Sequence, residues 1–120
     1  MTMKYLCIVH ADSAVFESFT PEFGQKFNDE SLEYDTDLQR RGKFIAAEAL
    51  QGPEAAVVIR VRDGKMSSTD GPFTELREQV CGFVLIEAVD LNDAIQIAAG
   101  IPMARIGTIE VRPVLQFDHS

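Results

Sequence analysis

Asp70, Glu48 and His10 are the side chains whose types and settings suit proton transfer. Asp70 ends a short strand-like run at a Gly71-Pro72 loop, where a carboxylate can face a pocket held by the surrounding scaffold. The same position equally suits an Asp that accepts hydrogen bonds from its own turn and does no chemistry. Glu48 follows Phe44 and Ala46 at a period of two and precedes Leu50, so it shares an apolar face and is expected to be at least partly buried. Burial raises a carboxyl pKa and fits it for general acid or base work, unless an arginine holds it ionised. Arg112, on the last strand with Thr108, Glu110 and Val114, is the obvious counter-charge, and a structural ion pair at a subunit interface is the competing reading. His10 ends the first strand, a place that can border a site or simply cap the strand end.

The candidate binding residues are Arg112, Arg105, Tyr34, Ser31 and Phe73. Arg105, within Ala104-Arg105-Ile106-Gly107, could attract an anionic ligand or stand in solvent. Tyr34 belongs to an aromatic stripe able to cover a ring or chain, whereas Phe73 also suits a packing anchor. Ser31 and Glu30 sit where that stripe should carry an apolar residue, which makes the gap either a tolerated Ser with Glu30 leaning to water or the border of a cavity. His10 and His119 are the two histidines, and Cys7 and Cys81 match no ligand spacing, so neither metal nor cofactor is expected. Both cysteines read as small buried hydrophobes. There is no Ser-His-Asp order, phosphate-binding glycine loop or dinucleotide fingerprint.

These residues need elements to hold them. With 120 residues, 46% hydrophobic and 25% charged, the chain predicts one domain spanning 1–120. The formal net charge of −8 would repel a phosphate backbone, which argues against nucleic acid and anionic membrane as partners. No apolar run is long enough to span a bilayer, and the short one at the N-terminus does not make a signal peptide, so a cytoplasmic location is expected. Strands are predicted at 5–10 and 79–87, apolar on both alternating faces and therefore covered twice. Thr20-Pro21 opens a helix over 21–41 that Gly42 ends. Strands follow at 44–50 and 55–62, an Asp63-Gly64 hairpin returns through 65–69 at a sheet edge, and Asp90 caps a helix carrying Leu91, Ala94, Ile95 and Ala98. A last strand covers 107–114. The order reads as an α+β, ferredoxin-like split βαβ with an inserted β-hairpin. Its uncovered sheet face predicts a homodimer with sheets packed face to face.

Asp70-Gly71-Pro72-Phe73, Glu78 with Gly82-Phe83, and Glu110-Val111-Arg112-Pro113-Val114 resemble the YCII-related family, in particular its DGPF branch. Glu48-Ala49-Leu50 and Asp63-Gly64 fall in the family's order, and the likeness spans nearly the whole chain. The resemblance implies a dimeric α/β barrel, in a family that includes an elimination enzyme and domains associated with sigma factors. Cys81 stands where the branch has glycine, and Ser31 stands near the helix position of a family His, so a His-Asp pair does not carry over. Three functions remain open: a metal-independent enzyme performing proton transfer or elimination on a small polar or anionic molecule, a metabolite-binding or regulatory dimer, and a structural dimer.

Overall fold

A computed structural model describes residues 1–117, which leaves His119 outside the described residues. Strict alternation shapes β1 (Met3–Asp12): Tyr5, Cys7, Val9 and Ala11 are buried, while Leu6, Ile8 and His10 point to the other face. The Asp12 side chain accepts from Ala14 N–H and starts a short helix that the sequence did not announce, α1 (Ser13–Glu17). Thr20 caps α2 (Pro21–Arg40) by accepting from Phe23 N–H at 3.1 Å, with Pro21 pre-set for the first turn. Gly42, at φ 71°, turns the chain into β2 (Phe44–Ala49). A 3₁₀ turn at Pro53–Ala55 leads to β3 (Val57–Arg62) and β4 (Lys65–Asp70). The long β5 (Glu78–Ala88), then α3 (Leu91–Gly100), a 3₁₀ turn at Pro102–Arg105 and β6 (Thr108–Pro113) complete the order.

The result is an α+β fold built on a four-stranded antiparallel sheet in the order β2-β5-β1-β6. Each helical crossover joins two strands that have one antiparallel strand between them. Both helices cover the same sheet face, and one cluster unites Tyr5, Cys7, Val84 and Ile86 of the sheet with Phe27 and Leu38 of α2 and Ala94 and Ile97 of α3. The opposite face carries Leu6 and Ile8 of β1 in register with Leu85 and Phe83 of β5, all half-exposed. β1 and β5 are thus covered on one face by their own chain, and a covering partner sheet is not part of the single chain. No helix is long and apolar enough to cross a membrane among the described residues.

Three expectations need correction. The β3–β4 hairpin is not an edge of the main sheet but a separate two-stranded sheet. An irregularity between Phe44 and Ala46 shifts β2, so Phe44 packs on the core while Ala46 and Glu48 pair with Leu85 and Phe83 of the open face. Glu48 is consequently exposed in the single chain instead of partly buried. In α3 the buried residues are Ala94, Ile97 and Ala98, and Leu91 and Ile95 face outward. Tyr34 sets that rotation: its hydroxyl donates to Ile97 O at 2.6 Å, and its ring occupies the space a side chain at Gly100 would need.

Candidate functional site

Between α2 and the β2–β5 end of the sheet lies a cleft of about 1170 Å³, roomy enough for a small organic molecule. One wall is aromatic, because Thr20-Pro21 starts α2 where Phe23 and Phe27, four residues apart, meet Phe19. The Phe19 ring lies 4.7 Å from Phe23 and 5.5 Å from Phe27, and Phe16 of α1 joins it edge-on at 5.7 Å. Phe16, Phe19 and Phe27 border the cleft. Further along α2 the wall turns polar, with Asn28, Ser31 and Asp35 at i, i+3 and i+7 on one helical face. Across from them stand Cys81 of β5 and the Gln51–Glu54 turn. Gln79, also bordering the cleft, donates through Nε2 to Thr74 O and Leu76 O at 2.8 and 2.6 Å, which pins the loop after β4. Gly82 lets β2 come this close: a Cβ there would lie 2.8 Å from Glu48 O.

The electrostatics are one-sided. Glu17, Asp35, Glu48 and Glu54 border the cleft, and none of its described lining residues is Lys, Arg or His. Burial pushes the Asp35 carboxyl above its ordinary range, and among the described residues it has neither a hydrogen bond nor an ion pair to oppose that shift. Burial also raises the Cys81 thiol, while fully buried Cys7, outside the cleft, is pushed up to about 11. These thiols are protonated at neutral pH and are poor nucleophiles as they stand. Asp35 is the group whose setting suits proton exchange with a bound molecule.

The residues singled out by sequence divide into separate places. Ser31, Tyr34 and Glu48 border the cleft. Ser31 donates to Phe27 O at 3.0 Å, one turn back, and Tyr34 spends its hydroxyl on α3, so its part is to shape the wall. His10 donates through Nε2 to Glu110 Oε1 at 3.1 Å on the open sheet face, beside Thr108, whose hydroxyl donates to Glu78 at 2.9 Å. Within one chain Arg112 does not reach Glu48: β2 and β6 are opposite edges of the sheet, about 14 Å apart by strand spacing. Arg105 stands exposed, ion-paired with Glu30 at 2.8 Å, and Glu30 leans out to the surface as the sequence allows. Asp70 and Phe73 lie at the base of the hairpin, away from the cleft lining. Backbone closes that turn, with Gly71 at φ 101° and its N–H on Ala56 O at 2.7 Å, and among the described residues the Asp70 carboxylate takes no hydrogen bond of its own. Phe73 is 74% exposed, with the Arg60 guanidinium 5.5 Å from its ring centre, so it anchors no core.

Sequence reasoning missed Asp35, Asn28, Gln79 and the cleft-facing position of Cys81. A polar stripe at helical spacing beside the aromatic one was the available signal for the first two. No group of three or more His, Cys, Asp or Glu able to hold a metal ion occurs among the described residues.

The family of the YCII-related domain matches residues 3–118. The chain is also similar to an uncharacterized protein of Rhizobium meliloti strain 1021, with 28% identity over 114 residues that cover 93% of this chain and 92% of the relative.

Proposed function

The chain belongs to the YCII-related domain family, and from that premise we propose that it acts on a small neutral or cationic molecule with an apolar body, seated in the α2 cleft. Asp35 takes the substrate proton as its carboxylate and returns it to product or solvent, the chemistry of a proton-transfer or elimination enzyme. The observation that carries this reading is Asp35 itself, a half-buried carboxyl with no partner among the described residues, in the cleft that the aromatic wall also borders. Phe16, Phe19 and Phe27 cover the apolar part of the molecule, and their faces favour a cation. Four carboxylates and no cation along the described lining turn an anionic substrate away. The Asp70-Gly71-Pro72-Phe73 loop supports placing the chain in the DGPF branch, with the loop serving architecture.

The test is a matched pair of probes followed by thermal melting, 2-phenylethylamine against 3-phenylpropanoate. The amine raises Tm and Phe27→Ala abolishes the rise, whereas the carboxylate leaves Tm unchanged. Stabilisation by the carboxylate alone would overturn the assignment of ligand charge. Affinity for amines with no turnover across a panel of them would make the cleft a sensor and remove the catalytic role of Asp35.

A further inference from the structure

The β3–β4 hairpin gathers cations on one of its faces. Register sets Arg60 and Arg62 of β3 opposite Ser67 and Lys65 of β4 on that face, and puts Val57, Ile59 and Val61 on the other. Arg62 and Lys65 thus form a like-charge pair directly across the two strands, an arrangement that costs stability. Arg41, Lys43 and Arg105 are ion-paired with Asp37, Asp93 and Glu30. By contrast, no carboxylate among the described residues pairs with Arg60, Arg62 or Lys65, and all three are exposed. The Arg60 guanidinium is held over the exposed Phe73 ring, 5.5 Å from its centre, where it stays open to an anion.

The outer edge of β3 is open beside these cations. Asp63 and Gly64, at φ 52° and 73°, make a two-residue turn, which sets Arg62 and Lys65 as a hydrogen-bonded pair. Gly71 N–H on Ala56 O at 2.7 Å keeps the same phase at the base of the hairpin. The backbone N–H and C=O groups of Val57, Ile59 and Val61 therefore point away from β4, and β3 pairs with no other strand. Along this edge the one such group with a partner among the described residues is Val61 O, which accepts from Arg62 Nη1 at 3.0 Å and so lays that cation against the edge. The edge of β4 offers less, since Lys65 is its one cation and it ends on Asp70.

We propose that the edge of β3 takes up an extended acidic segment of another protein as a third strand. The backbone of that segment bonds to the outward groups of Val57 and Ile59. Its alternate carboxylates lie beside Arg60 and Arg62, with Lys65 one strand further on, and the residues between them lie beside Ile59 and Val61. Charge selects this occupant. Cations along an edge turn away a strand that carries cations of its own, so the hairpins of two copies do not zip together. A long polyanion such as nucleic acid would run past the three cations onto a chain of net charge −8, whereas a short acidic segment ends where the patch does.

Fluorescence anisotropy tests the strand, with the full chain titrated into the labelled peptide Glu-Val-Glu-Val-Glu-Val. Two probes run beside it: Glu-Glu-Glu-Val-Val-Val, which keeps the charge and loses the alternation, and a labelled oligodeoxythymidine. The alternating peptide binds at least about tenfold more tightly than either, and added salt weakens it. Arg62→Glu turns the like-charge pair into an ion pair, so Tm holds or rises while peptide affinity falls at least about tenfold, a separation that a merely structural role would not produce. Circular dichroism stays unchanged, since the buried core contains no hairpin residue. Hydrogen exchange at the Val57 and Ile59 amides slows when the peptide is bound. An alternating peptide that does not bind, a control that binds as tightly, an Arg62→Glu protein that binds like wild type, or exchange unchanged at both amides would each overturn the proposal.

Discussion

Replacing Asp35 by Asn should make the protein more stable at neutral pH, the reverse of what most substitutions at a partly buried position do. Burial holds the Asp35 carboxyl above its ordinary range, and neither a cation nor a hydrogen-bond donor among the described residues compensates. The folded state therefore binds this proton more tightly than the unfolded chain. For a carboxyl raised on folding, stability falls as pH rises from the model-peptide value of 3.8 through the folded pKa, and the penalty is fully present above both. Asn keeps the shape and removes the charge. With the group still partly in water, solvent screening limits the gain to about 0.5 kcal/mol, or about 2 °C in Tm for a chain of this size. The assay is paired urea melts of wild type and Asp35→Asn at pH 7, 6, 5 and 4. The variant should lead at pH 7 and the gap should close as pH approaches 4. An Asn variant less stable than wild type at pH 7 would show that the carboxylate holds structure together. A gap that does not change with pH would show that charge is not its cause. The predicted gain marks a residue kept at a cost to the fold, as functional groups often are.

Two further outcomes follow from the same site. Gly82→Ala should cost about 1–3 kcal/mol in chemical denaturation, because its Cβ meets backbone at Glu48 O and β2 must move away; a cost below 0.5 kcal/mol would show that β2 is free to shift. Cys81 should react with iodoacetamide slowly at pH 7.5, speed up as pH rises past the ordinary thiol value of 9.0, and be protected by any molecule that fills the cleft, with Cys7 unmodified in the folded chain. Rapid labelling at neutral pH, or equal labelling of both thiols, would contradict the placement.

What was legible in the sequence is what neighbouring residues decide. Thr20-Pro21 opens α2, Asp90 caps α3 through Asp93 N–H at 2.9 Å, and alternation marks β1 and β5, all without long-range information. The positions where the structure departs from the local pattern depend on contacts distant in sequence. One irregularity in β2 moves Glu48 to the open face, and a single tyrosine from α2 decides which side of α3 is buried. The hairpin was legible as a hairpin, but its neighbour was not, since an amphipathic strand pair states that a face is covered and never by what.

The candidate site shows the same division, with Asp70 on one side of it and Asp35 on the other. A carboxylate in a Gly-Pro loop is conspicuous in sequence, whereas Asp35 sits mid-helix among Glu33, Asp37 and other acids that look like a solvated face. Its difference arises only when α2 packs against β2 and the cleft forms between them, a contact between segments that neither announces in its own residues. The gap at Ser31 was the visible trace, because a helix that interrupts its apolar stripe with Asn28, Ser31 and Asp35 cannot pack tightly there. Desolvation then acts on whichever ionisable group lines the space left, and in this chain that group is a carboxyl with no counter-ion among the described residues. A cation brought by a ligand would supply the missing charge, lower the Asp35 pKa towards its ordinary value and reverse the stability gain expected of Asn. Amine binding should therefore shrink or invert the difference between wild type and Asp35→Asn at pH 7. A difference unchanged by saturating amine would separate the acid from the ligand and leave the cleft without its chemistry.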